Sequence, residues 1–336
     1  MKDSKLFLRK GRKIHKRKKK EKKEDKSKTI LFIILILIIF FELFIILIQN
    51  NFIKNKLHEE EKFRNEKDIE SEKKIEKKLE YKKYSDLLNL DLTSYAQYLE
   101  DIILFLFLHD IKTGFYIDVG ANDPIIDSVT NFFYLRGWNG INIEPLNDKY
   151  ILLKEKRPRD INLNIAAGKE KGSTTLYIYK GLTTTIKNYS RPWAPTKIVK
   201  VETMADICKE YVPKGIRIDF CKIDVEGGER NVLLGYDFIN YRPIIFCIES
   251  TLPLSMIPSY QLFEDILIEN NYSFIYQYNI NRFYVDNKNV LANILRQRVT
   301  LINLYIEKYN DKINNKYNYI PSFWYYQLYC PFLNLI

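Results

Sequence analysis

From residue 115 onward, short apolar runs alternate with segments of helical spacing, and this alternation limits the fold more than any other feature. Strands are expected at Phe115–Val119, Gly140–Glu144, Asn162–Ala166, Phe220–Asp224 and Ile244–Glu249. Helices are expected at Ser128–Arg136, Lys149–Glu155, Met204–Tyr211, Glu229–Leu234 and Tyr260–Glu269. Parallel strands need long crossovers, and helices supply them, so the order predicts an α/β fold with a parallel sheet covered by helices. Thr174–Tyr179 and Ile198–Val201 read as an inserted hairpin or edge pair. YSFIYQY and NRFYVDN read as a closing pair of strands. SYAQYLEDIILFLFLHD (94–110) reads as a helix ahead of the first strand, and the tail from Asn289 as helical and then aromatic (YIPSFWYYQLY).

In open α/β sheets a ligand sits beyond the carboxyl ends of the strands, where strand order reverses. The unusual residues of this chain fall at those ends. GFYIDVGANDP carries Asp118, Gly120 and Asn122; Gly120 lets backbone approach a ligand, and Asp118 is suited to accept hydrogen bonds from an ammonium or a loop. Glu144 ends the second strand (INIEP), where a carboxylate can accept both hydroxyls of a ribose. A dinucleotide pyrophosphate calls for G-x-G-x-x-G, whereas this loop has one glycine and adds the charge of Asp123. The loop suits a nucleoside that carries positive charge and no phosphate, which is S-adenosylmethionine.

GFYIDVGANDPIIDSVTNFFYLRGWNGINIEP, DINLNIAAG, IDFCKIDVEGGERNVLLGYDF and RPIIFCIESTLP together resemble the FkbM-type family of S-adenosylmethionine-dependent methyltransferases, from about Ser94 to Asp286. The resemblance implies a class I methyltransferase (Rossmann-like) sheet with helices on both faces, and methyl transfer to hydroxyls of sugars or natural products. It adds Ala166 of DINLNIAAG to the cofactor-binding set of Asp118, Gly120, Asn122 and Glu144. One departure stands out. Where the family has S-Q-x-G-E-D, this chain reads Ala96-Gln97-Tyr98-Leu99-Glu100-Asp101, with Leu99 in place of the glycine.

KIDVEGGE (222–229) supplies acids on the acceptor side. In the class I order the fourth strand adjoins the first, so Asp224 is expected to face the same crevice as Gly120. Asp224 and Glu226 project to one side if the chain stays extended, and Glu249 ends the neighbouring strand. Methyl transfer to oxygen needs alignment and a proton acceptor. The three histidines (His15, His58, His109) all precede these motifs, so a carboxylate is the expected base: Asp224 first, Glu226 second, with Glu249 converging. Capping of the next helix by Glu226 or Glu229 is the plain alternative. A magnesium ion held by these acids is the alternative mechanism, and no metal is expected. Four cysteines lack metal spacing, and Cys221 and Cys247 are expected as buried free thiols.

The N-terminal quarter is of a different kind. Residues 1–28 hold 15 Lys/Arg against 4 Asp/Glu, a net charge equal to the +11 of the whole chain, so the remainder sums to zero. Basicity confined to a tail argues against a nucleic-acid face. ILFIILILIIFFELFIILI (30–48) follows, apolar on every side except at Glu42. At ~1.5 Å per residue it rises about 28 Å, the thickness of a bilayer core. No small-residue cleavage site follows it, so residues 29–49 read as a transmembrane signal anchor. Residues 50–85 mix 11 basic and 9 acidic side chains and read as a charged stalk. The expected plan is a basic cytoplasmic tail (1–28), the anchor (29–49), the stalk (50–85), a methyltransferase domain (86–288) and a helical and aromatic extension (289–336). The expected partners are the lipid bilayer and a glycan or other hydroxyl-bearing acceptor. The opposing reading is a non-catalytic binding protein on the same fold.

Thirteen Lys/Arg lie in residues 9–28 and five in residues 50–69, so the positive-inside rule puts the N-terminus in the cytoplasm and the C-terminal domain across the membrane. In sealed vesicles, a tag after Ile336 is therefore expected to be protected from protease while a tag at Met1 is digested. The reverse pattern would put the domain in the cytosol, where S-adenosylmethionine is made.

Overall fold

The computed structural model describes residues 82–317 except 180–181 and 190–192, together with scattered positions between 40 and 79. The basic tail and the aromatic stretch 319–329 lie outside the described residues, as do most of the predicted anchor and stalk. The chain divides into two units, 1–79 and 80–336. In the first, the described positions from Phe40 to Ile48 are helical with exposed apolar side chains. Among the described residues no helix is long and apolar enough to cross a membrane.

The second unit is built on a seven-stranded sheet. Its strands are β1 (Phe115–Val119), β2 (Asn139–Ile143), β3 (Ile161–Leu163), β8 (Phe220–Ile223), β9 (Ile245–Glu249), β10 (Tyr272–Tyr278) and β11 (Asn281–Asp286). In space they run β10-β11-β9-β8-β1-β2-β3. The five central strands are parallel, and β11 enters antiparallel to β9. Strand order reverses between β1 and β8, which places a crevice at their carboxyl ends.

A second sheet, β4-β7-β5-β6, holds the inserted pair and two further strands. Its members are β4 (Ala166–Gly168), β5 (Gly172–Tyr179), β6 (Leu182–Thr184) and β7 (Thr196–Thr203). The expected strand Asn162–Ala166 is thereby divided: β3 stops at Leu163, and Ala166 opens β4 in the other sheet. Asn164 makes the break, its Nδ2 donating to the carbonyls of Glu144 (2.9 Å) and Pro145 (3.1 Å).

The alternation of β1 sends its side chains to two cores. Phe115, Ile117 and Val119 pack with α5 (Met204–Tyr211), α6 (Glu229–Leu234) and α7 (Glu264–Glu269). Tyr116 faces the other way, toward α2 (Glu100–Leu108), α3 (Asn131–Leu135) and α8 (Ala292–Tyr317); the short α1 (Ser85–Leu88) adds Leu88. The helix of the C-terminal extension, through Leu295, Leu301 and Ile302, thus belongs to the same core as the sheet. Helix α4 (Asn147–Lys156) links β2 to β3. Cys208, Cys221 and Cys247 are buried free thiols.

Helix α2 is shorter than the apolar spacing of 94–110 predicts, starting at Glu100. Leu99 sits at φ 65°, where a side chain costs about 1–2 kcal/mol and the helix cannot continue backward. The Asp101 carboxylate holds the preceding turn, accepting from Ser94 Oγ (2.7 Å) and the Tyr95 N–H (2.6 Å). Leu99 is itself buried, so its apolar contacts offset the strain.

Glu100 lies beneath this turn, accepting from the Tyr98 N–H (2.8 Å) and Asn281 Nδ2 (2.5 Å). Burial outweighs these bonds and pushes its pKa from 4.5 to about 7. The folded state therefore binds a proton that the unfolded state has released, and stability is lost as pH rises from about 4.5 to 7. Thermal midpoints of the parent and Glu100→Gln across this window are expected to diverge, the parent losing more. Parallel curves would mean that the carboxyl titrates normally.

Candidate functional site

The carboxyl ends of β1, β2 and β8 open into a cavity of about 390 Å³, within the usual range for small-ligand sites. Gly120, Glu144, Ala166 and Asp224 line it together, with the second sheet forming another wall through Thr174 and Thr183. Of the residues expected to hold a cofactor, the structure thus brings Gly120, Glu144 and Ala166 to one surface. Asp118 and Asn122 sit behind that surface, each tied to the loop.

The loop after β1 is shaped by two crossings. Gly120 has φ 82°, and a Cβ there would stand 1.9 Å from the Asp224 carbonyl oxygen. The loops after β1 and β8 touch backbone to backbone, and only glycine permits it. Asn122, at φ 48°, donates its N–H to Glu144 Oε2 (2.8 Å), while Leu146 N–H binds Glu144 Oε1 (2.7 Å). Each Glu144 oxygen keeps a second lone pair for a hydroxyl. Burial raises the Glu144 pKa, against the pull of those two N–H bonds.

Sequence reasoning missed Lys222. In parallel register it lies directly beside Asp118, on the same face of the sheet. Its ammonium is buried 3.6 Å from Asp118 Oδ1 and 3.3 Å from Asp224 Oδ2, and it donates to the Gly120 carbonyl (3.2 Å). Burial pulls its pKa down, but Asp224 and Asp118 together outweigh that and hold it above the ordinary lysine value. The ammonium that Asp118 meets is therefore the protein's own. The signal was present in FCKID, a lysine inside an otherwise apolar central strand. Asp118 also accepts from Thr130 Oγ1 (2.7 Å). Helix α3 starts at Asn131 rather than Ser128, whose N–H is bonded to the Tyr95 carbonyl (2.8 Å).

A buried arginine fixes the rest of the loop. Arg157 donates to the Pro124 carbonyl (2.6 Å from Nη2), Ser128 Oγ (2.7 Å) and Thr130 Oγ1 (3.1 Å), and lies 3.6 Å from Asp160. Asp160 in turn accepts from the Tyr116 hydroxyl (2.6 Å) and Asn142 Nδ2 (3.0 Å).

Beyond the ends of β8 and β9, one oxygen each of Asp224, Glu226 and Glu249 lies within 4.8 Å of the other two. The expected route to this convergence was an extended chain. Instead β8 ends at Ile223, and Glu226 takes φ 55°, so the turn itself swings its side chain into place. The Glu226 carbonyl is held by Thr184 Oγ1 of β6 (2.7 Å). Gly227 lies against the Tyr189 ring, where a Cβ would come within 2.5 Å. The N-cap of the next helix is Gly228, without a side-chain bond; Glu229 instead ties the preceding loop, accepting from the N–H groups of Val225 (3.2 Å) and Gly227 (3.0 Å). Burial still pushes the Glu229 pKa to about 7.

Glu226 and Glu249 each leave Oε2 buried without a hydrogen-bond partner. Two like charges at 4.8 Å repel by roughly 3–4 kcal/mol at an effective dielectric near 20. Burial first, then Asp224 and Glu229, raise the Glu226 pKa to about 8. Burial and the charges of Asp224 and Glu226 raise Glu249 well above the carboxylate range. Such a cluster can take up a proton from a neighbouring group near neutral pH, as general-base chemistry requires.

Lys222 is expected to be the least replaceable of these side chains for folding. Lys222→Met keeps the volume but strands Asp118 and Asp224, and is expected to destabilise the protein by about 3–5 kcal/mol in chemical denaturation. Adding Asp118→Asn should recover part of that loss. Additive effects in the double variant would show that the pair is not coupled.

Residues 118–276, a little under half of the chain, match the family model described as Methyltransferase FkbM domain. No curated protein matches the chain. The matched stretch begins at Asp118 and takes in Gly120, Glu144, Ala166, Asp224, Glu226 and Glu249. Over this stretch the chain is similar to the FkbM methyltransferase domain.

Proposed function

We propose that the protein is a membrane-anchored, S-adenosylmethionine-dependent O-methyltransferase that acts on a sugar hydroxyl of a glycan or glycolipid. The observation that carries the reading is the cavity at the β1/β8 switch point, where Glu144 and Gly120 meet Asp224. S-adenosylmethionine supplies a methyl group on a positively charged sulfur, which is transferred in line to an acceptor oxygen. Glu144, with a free lone pair on each oxygen, suits its ribose hydroxyls. The single-glycine loop of Gly120 and Asn122 suits its unphosphorylated amino-acid end, with Ala166 closing the far wall.

Asp224 stands at the junction, lining the cavity and belonging to the acid cluster. It takes the hydroxyl proton as the new carbon–oxygen bond forms. Lys222 keeps its carboxylate oriented, and the Gly120 crossing holds it at fixed distance from the donor loop. The membrane part of the reading is supported by the 19-residue apolar run and by the exposure of Phe40, Phe41, Phe44 and Leu47 at helical positions. The basic flank supports a cytoplasmic N-terminus and an extracytoplasmic domain.

Calorimetry on the full chain in detergent is expected to show binding of S-adenosylmethionine and none of NAD. Asp224→Asn should leave that binding nearly intact and lower methyl transfer by about 10²–10⁴, the usual worth of a positioned base. Tight NAD binding without S-adenosylmethionine binding would overturn the donor. Turnover within threefold of the parent would remove Asp224 as the base.

A further inference from the structure

We propose that Asp224, Glu226 and Glu249 form a binding site for one hard divalent cation of the magnesium and manganese class. The purpose assigned to the site rests on the methyl-transfer reading above; the binding itself does not.

The argument begins with unmet bonding capacity. Glu249 is 5% exposed, and its Oε2 is buried without a partner beside Asp224 and Glu226. Glu226 Oε2 is in the same condition. Of the adjoining acids, Glu229 takes two backbone N–H groups, while the unbonded Asp118 Oδ1 faces the Lys222 ammonium at 3.6 Å. The Lys222 ammonium is turned toward Asp118, Asp224 and the Gly120 carbonyl, so its single charge is already shared. Three carboxylates therefore face one another with more acceptor capacity than the surrounding donors fill.

The chemistry of the set selects the ion. All three ligands are carboxylate oxygens, with no histidine or cysteine in the group, which favours hard cations over zinc or copper. The three oxygens lie within 4.8 Å of one another, so one ion between them can be in reach of all three. Asp224 is half-buried and lines the donor cavity, so the ion has an open side toward the acceptor. There it lowers the pKa of an adjacent hydroxyl, whose proton leaves to Asp224.

The test uses the full chain in detergent, with Mn²⁺ as the probe and the loss of its free spectroscopic signal as the readout. One saturable site is expected, displaced by Mg²⁺ and weakened at least tenfold by Glu249→Gln and by Glu226→Gln. S-adenosylmethionine binding, measured on the same preparations, judges the donor reading separately, and thermal unfolding reports whether the variants are folded. Donor binding without saturable Mn²⁺ binding would overturn the cation site and leave the function standing. Equal Mn²⁺ affinity in the parent and both variants would also overturn it, by putting the ion elsewhere. Mn²⁺ binding that depends on both glutamates, with no donor binding, would uphold the site and overturn the donor.

Discussion

The buried ammonium of Lys222 is the interaction on which the site depends. It lies between β1 and the end of β8, and its three contacts belong to β1, the loop after β1 and the loop after β8. A lysine in a central parallel strand is costly to bury. Two carboxylates and a carbonyl offset that cost, and they do so only if both loops adopt the observed path. The glycine crossing at Gly120 works in the same direction, since the Asp224 carbonyl occupies the space where any side chain would stand. Charge and steric fit thus specify one relative placement of the two halves of the cavity.

Much of the main sheet was legible in the sequence because burial on both faces leaves a plain mark. Phe115–Val119, Met204–Tyr211, Glu229–Leu234 and Tyr272–Tyr278 have the expected bounds, most other elements differ by a residue or two, and the helices expected from Ser128 and Tyr260 begin later, at Asn131 and Glu264. The failures have local causes. Helix α2 begins late because Leu99 adopts a left-handed conformation that apolar spacing does not encode. The run Asn162–Ala166 is divided by the side chain of Asn164, whose two bonds to the end of β2 are tertiary.

The site was legible in part, for a related reason. Strand-end acids and a lone glycine can be read from position, and Gly120, Glu144 and Asp224 do share a cavity. What position could not convey was the partner of each group. Asp118 looked like a ligand contact and is occupied by Lys222 and Thr130. Glu226 looked like a neighbour of Asp224 on an extended chain and reaches it through a turn held by Thr184, from a sheet that appeared in the sequence only as an edge pair.

Arg157 has a consequence for how a ligand is received. Its guanidinium ties Pro124, Ser128 and Thr130 into one buried knot, 1% exposed, beneath the loop that borders the cavity. That loop is ordered when the chain folds, not when a ligand arrives. The entropy of arranging it is thus charged to folding stability, and a ligand entering the cavity meets a surface already in its final form. Such a site spends little of its binding free energy on closing itself, and more of it is left to tell one ligand from another.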